Sequence, residues 1–165
     1  MREDQMPNKY QIEFSKLSQK NGLNVLWHKK PNAWYVDLSN TTRGTIAKEL
    51  ARNILGGTLL QGNIEGYDIF VNDQKIQVKT SSLQLRNEYP VLSWKQIRPN
   101  DPYTHILFIA VYPSDVRMFL VPRNDIPFSD LHQSHGGKRT SAKIYNIETR
   151  KTDELFSWMT KHELL

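Results

Sequence analysis

Apolar and polar positions recur along this chain with two different periods, and the change from one to the other marks out its elements. Tyr10, Phe14 and Leu17 recur at helical spacing between residues 8 and 20, which predicts an amphipathic packing helix ending near Asn21-Gly22. The runs 23–28 and 34–38, on either side of Pro31-Asn32, read as two short extended pieces around a turn. Ser39, Asn40, Thr41 and Thr42 are N-cap candidates ahead of Ile46, Ala47, Leu50, Ala51, Ile54 and Leu55, which form one helical stripe, and Gly56-Gly57 stops it. Then the period falls to two. Residues 67–71, the turn Asn72-Asp73-Gln74 and residues 75–80 predict two strands joined by a tight connection. The run 106–112 is apolar on both faces, as in a central strand, and 117–121 pairs with it across Pro113-Ser114-Asp115. Residues 124–143 read as loop. Leu155, Phe156 and Met159 suggest a closing helix over 152–165.

The order of these elements is that of an α/β sandwich. No repeat or linker divides the chain, so a single domain over 1–165 is expected, with its chemical core at about 41–122. Hydrophobic residues make up 38%, enough apolar material to offset chain entropy and to argue against wholesale disorder. There is no cysteine, so disulfides and thiolate zinc sites are excluded. The charged N-terminus lacks the apolar core of a signal peptide, and no stretch approaches the roughly 20 apolar residues of a membrane span. A cytoplasmic protein with no membrane association is therefore expected. The net charge of +5 favours polyanionic partners through counterion release and long-range steering.

The chemistry concentrates in the predicted hairpin. Asp68 opens one strand, and Gln77-Val78-Lys79 follows nine residues later in the strand folding back beside it. Alternation sends Gln77 and Lys79 to one face and Val78 to the other, so Asp68 can meet both polar side chains at the strand ends. Hydrolysis of a phosphodiester at neutral pH calls for a divalent ion, and magnesium takes its oxygens from one or two carboxylates, carbonyls and water. Asp68 is the expected carboxylate ligand. Gln77 offers a side-chain carbonyl as a second ligand or as the holder of a metal-bound water. Lys79 can acidify or orient the attacking water, or stabilise negative charge on the phosphate. An amide at 77 leaves the site one charge short, and Glu49 on the preceding helix is preferred over Glu65 to supply it.

These residues resemble the PD-(D/E)xK nuclease superfamily. That family's layout of a helix with Glu, a strand with Asp and a strand with Glu or Gln, any residue, then Lys matches Glu49, Asp68 and Gln77-Val78-Lys79 across residues 44–82. Tyr67 replaces the usual Pro, and Gln77 the commoner Glu. The resemblance implies a restriction-endonuclease-like core, a mixed central sheet flanked by helices, and a Mg²⁺-dependent deoxyribonuclease with Mn²⁺ as a substitute. Restriction-type cleavage of double-stranded DNA is the leading expectation, and cutting both strands of a palindromic site implies a homodimer. A structure-selective repair, recombination or transposition nuclease, a binding-only relative disabled by Gln77, and an RNA nuclease are the alternatives.

Around this site, the hydroxyls and backbone N–H groups of Thr80 and Ser81 are candidates for a neighbouring phosphate. Lys95, Gln96 and Arg98, beside Trp94, have the side-chain types that contact phosphates and base edges. The loop holding His135, Gly136-Gly137, Lys138 and Arg139, and extending to Lys143, is a candidate DNA-contacting loop. His132 and His135 lack further ligands nearby for a zinc ion. His28, His105 and His162 are assigned packing or solvent roles.

Overall fold

The computed structural model describes residues 9–10, 26–61, 65–135 and 143–165, and of residues 132–135 the backbone only. Lys9 and Tyr10 are helical, and the rest of the predicted first helix lies outside the described residues. The chain is mixed α/β. A five-stranded sheet is ordered β1-β2-β3-β7-β8, where β1 is Thr58–Leu59, β2 Ile69–Val71, β3 Gln74–Ser82, β7 His105–Val111 and β8 Val116–Pro122. Strands β3 and β7 run parallel and the remaining neighbours antiparallel, so the sheet is mixed.

Helix α2, Asn40–Leu55, is the longest described helix. Ser39 caps it by accepting from Thr42 N–H, and Gly56, at φ 79°, ends it. Its buried contact is narrower than the predicted stripe, since only Ala47 and Ala51 are fully buried while Ile54 is 57% exposed. Two small side chains one turn apart let the helix approach the sheet closely. Gly57 continues that approach at φ 82°, where a Cβ would stand 2.4 Å from the Phe70 carbonyl oxygen.

The β2–β3 hairpin turns on Asn72 and Asp73, both at positive φ, as a two-residue type I′ connection requires. Its register pairs Ile69 with Ile76, which sets Asp68 opposite Gln77. Strand β2 covers only the first three residues of β3. From Gln77 onward the outer edge of β3 pairs with no described strand, while its other edge pairs with β7 as far as Ser82.

A three-stranded sheet, ordered β6-β10-β9, packs on the face of the main sheet away from α2; β6 is Ser93–Ile97, β9 His132–His135 and β10 Lys143–Glu148. Alternation along β3 assigns the faces. Thr80 bonds with Tyr35 Oη on the helix side, and Ser81 accepts from Ser93 N–H on the other. Trp94 anchors this second layer by donating to the Ile109 carbonyl and meeting Phe108 edge to face. A small hairpin, β4 (Gln84–Arg86) and β5 (Tyr89–Val91), leads into β6.

Four segments depart from the sequence reading. Residues 26–28, expected at the end of an extended piece, form a turn. Residues 33–36 form a one-turn helix, α1 (Ala33–Val36), in place of an extended piece, because a short apolar run fits either period and Tyr35 gains a buried position with bonds to Thr80 and the Arg43 carbonyl. The segment 124–143, expected as loop, holds two 3₁₀ turns and β9; its polar His-Gln-Ser-His run carries no apolar alternation, and pairing with β10 supplies the strand. The expected closing helix is one turn only, α3 (Ser157–Thr160). Beyond it the chain straightens and lies along β8, with Leu120 N–H on the His162 carbonyl and Leu164 N–H on that of Met118, covering an otherwise open sheet edge.

Candidate active site

Where β2 leaves β3, the Asp68 side chain takes its place along the open edge. Asp68 N–H donates to the Ile76 carbonyl as the last rung of the ladder, and its Oδ2 accepts from Val78 N–H at 2.7 Å, the next donor along the edge. The carboxylate is thereby fixed by backbone and nearly buried, at 7% exposure. Its other oxygen, Oδ1, lies 3.1 Å from Lys48 Nζ on α2.

Gln77 and Lys79 project from the same face of β3 into a cleft of about 740 Å³ that Asp68, Lys48, Glu65 and Asp101 also line. Gly66, at φ 74°, brings the loop before Asp68 against Pro102, where a Cβ would stand 2.6 Å from the proline ring. Buried Gln77 Oε1 has no hydrogen-bond partner among the described residues, an acceptor facing desolvation without compensation. Lys79 Nζ donates to the Gln96 carbonyl at 3.0 Å. Burial pushes the Lys79 ammonium below its ordinary pKa, an effect that the attraction of Asp68 and Asp101 only partly offsets.

Gln96 reaches that position through a bulge. The register of β6 against β10 slips by one residue between the Trp94 and Ile97 pairings, and Gln96 takes a positive φ of 58°. Such a bulge re-aims the strand locally. The Gln96 main chain makes two contacts here: the carbonyl holds Lys79, and the N–H donates to Asn146 Oδ1.

Glu49 is not brought to this site. It is exposed on α2 and lines neither cleft described here, because the neighbouring Lys48 occupies the helix face that meets Asp68. Glu65, the weaker sequence candidate, does line the cleft. Arg98 lies in this cleft, and Gln96 forms part of the boundary with a second one; Thr80, Ser81 and Lys95 line that second cleft. Lys143 is exposed at the start of β10 and lines neither. His135 belongs to β9, with its side chain undescribed, and Lys138 and Arg139 lie outside the described residues.

Sequence reasoning missed Lys48, Asp101, Arg43 and Ser93. Arg43 had a readable signal, since it precedes Ala47 and Ala51 by one and two turns on the buried helix face, and so did Lys48, three residues before Ala51.

Among the described residues no group of three or more His, Cys, Asp and Glu side chains is placed to hold a metal ion. Asp68 and Gln77 nonetheless line one cleft, the buried Gln77 side-chain carbonyl lacking a partner among the described residues, and magnesium in phosphate-handling sites commonly takes only one or two protein carboxylates and completes its shell with water and substrate. A carboxylate and an amide carbonyl are the kinds of donor such an ion takes. No family model matches the chain, and no curated protein matches it either. Among the described residues no helix is long and apolar enough to cross a membrane.

Proposed function

We propose that this chain is a magnesium-dependent DNA endonuclease with a restriction-endonuclease-like core. The observation that carries this reading is the meeting in one cleft of Asp68, just ahead of β2, with Gln77, whose side-chain carbonyl is unpartnered, and the burial-perturbed Lys79 of β3, in the order of the PD-(D/E)xK pattern. Asp68 and Gln77 would hold the magnesium, with manganese as substitute and Glu65 as the nearest further carboxylate. When bound, the ion polarises a phosphodiester oxygen and acidifies a water. Lys79, steadied by the Gln96 carbonyl, aims positive charge at the phosphate oxygen on which negative charge develops. Asp68, held by Val78 N–H, enters the reaction already oriented.

The net charge of +5 supports a polyanionic substrate, double-stranded DNA in this reading, with sequence-specific cleavage of the restriction type. Each copy carries one such cleft, so cutting both strands of a palindrome takes a homodimer. A second reading, a DNA-binding protein that does not cut, draws support from the Lys48–Asp68 ion pair, which already neutralises the carboxylate a cation needs. Incubation of long unmethylated duplex DNA with Mg²⁺, Mn²⁺ or chelator, beside the Lys79→Ala variant, separates the two. Discrete metal-dependent fragments lost in the variant are expected; intact DNA under every condition, with salt-sensitive binding retained, would transfer the protein to the second reading.

A further inference from the structure

The open edge of β3 continues past Lys79 into the second cleft, of about 460 Å³, which shares Lys79 and Gln96 with the first. Its walls differ in kind. Arg43 and Lys95 join Lys79, hydroxyls come from Thr80, Ser82 and Ser93, and none of the described residues lining it is a carboxylate. No described ion pair engages Arg43 or Lys95; the Arg43 guanidinium bonds instead to the neutral Asn40 side chain. Ser93 is 9% exposed, and its Oγ is buried with no hydrogen-bond partner among the described residues. A buried hydroxyl without an acceptor, beside uncompensated cations, calls for an anion. The backbone adds to this. Val78 N–H points out of the edge to Asp68, so by alternation the N–H groups of Thr80 and Ser82 face the same way.

We infer that this cleft is a phosphate subsite, binding the phosphodiester next to the one held beside Asp68 and Lys79, so that one nucleic-acid strand runs along the unpaired edge of β3. Arg43 and Lys95 supply charge, and Ser93 with the strand's N–H groups supplies directional donors. The inference deepens the proposed function and rests on it for the identity of the strand. It also explains why β2 stops after three residues of pairing: a longer β2 would fill the groove.

The test is binding of a fluorescently labelled duplex by the full chain, in chelator so that no cleavage intervenes, over a range of salt concentrations. Arg43→Ala and Lys95→Ala are each expected to lower the slope of log affinity against log salt by about 1 and to weaken binding several-fold at moderate salt. Ser93→Ala should weaken binding with the slope kept, and Lys161→Ala, whose partner is Asp125, should change neither. Wild-type slopes in both cation variants, or no duplex binding by the wild type, would overturn the subsite. Inorganic phosphate titrated at constant ionic strength forms a second arm. Arg43-dependent phosphate binding without an effect of Arg43 on duplex binding would assign the cleft to a free anion and likewise overturn the strand path. A protein that binds duplex through Arg43 but never cuts would remove the nuclease reading and leave the subsite standing.

Discussion

The two clefts lie along the same unpaired edge of β3 and share two wall residues, yet one mixes carboxylates with cations and the other, among the described residues, holds cations alone as its charged groups. In the first, Asp68, Glu65 and Asp101 face Lys48, Lys79 and Arg98, and the unpartnered buried atom is an acceptor, Gln77 Oε1. In the second, the described walls hold cations and hydroxyls without a carboxylate, and the unpartnered buried atom is the Ser93 hydroxyl. One strand serves both because its neighbours differ. Where β2 ends, a carboxylate reaches the edge; where the start of α2 and the bulged β6 approach, cations and hydroxyls do. Binding a phosphate and placing a cation beside it are thus separable jobs, and substitutions can divide them.

The largest effect is expected from the first cleft. Lys79→Ala or Asp68→Asn should lower metal-dependent cleavage by about 10²–10³, the usual loss when one preorganised charge contact is removed, with duplex affinity in chelator changed far less. Quantified initial rates on a linear duplex check this. Cleavage within threefold of wild type in both variants would place the chemistry elsewhere.

A smaller change should run in the opposite direction. Lys48 Nζ competes with any cation for Asp68 Oδ1, and Lys48 is partly exposed, so the pair is worth little by itself. Lys48→Ala should therefore raise Mg²⁺ affinity roughly three- to tenfold, the equivalent of about 0.6–1.4 kcal/mol. Calorimetric titration of metal into the DNA-free protein reads this directly. A weaker Mg²⁺ affinity in the variant would mean that Lys48 orients the carboxylate rather than blocking it.

Lys79 also carries a signature in stability. Because burial lowers its pKa, the folded chain gives up this proton at a lower pH than the unfolded chain. Between the lowered value and the ordinary 10.5 the unfolded state binds more protons, so this group makes stability rise with pH through that interval. Lys79→Met removes the contribution. The variant's unfolding midpoint minus that of the wild type, followed by chemical denaturation, should shrink as pH climbs toward 10.5; a difference that widens would contradict the buried ammonium.

The parts of this arrangement that were legible in the sequence are those set by local rules. Ser39 and Gly56 bound a helix by capping chemistry, and Asn72-Asp73 close a hairpin whose register alone sets Asp68 opposite Gln77. The rest depended on contacts distant in sequence. Nothing local marks the bulge at Gln96, which arises from pairing with β10, or the tail that straightens to cover β8. The second cleft joins Arg43, Thr80 and Ser93 from three elements, and only Thr80 stands close enough to Lys79 in the chain to have drawn notice.

The helix carboxylate offers the smallest effect and the finest discrimination. Successive residues of an α-helix are turned by about 100°, so Lys48 and Glu49 cannot both face Asp68, and the structure gives the position to Lys48. Glu49→Ala should accordingly leave cleavage and metal affinity unchanged and alter stability by no more than about 0.5 kcal/mol, as exposed substitutions do. Glu65→Ala, by contrast, removes a carboxylate from the cleft wall and should weaken Mg²⁺ binding. If Glu49→Ala were the variant that lost metal, α2 would have to rotate when the cation arrives, carrying Lys48 away from Asp68 as Glu49 swung in. The same rotation would turn Arg43 relative to β3, so the salt slope of duplex binding would then differ between Mg²⁺ and chelator in the wild type and not in Glu49→Ala.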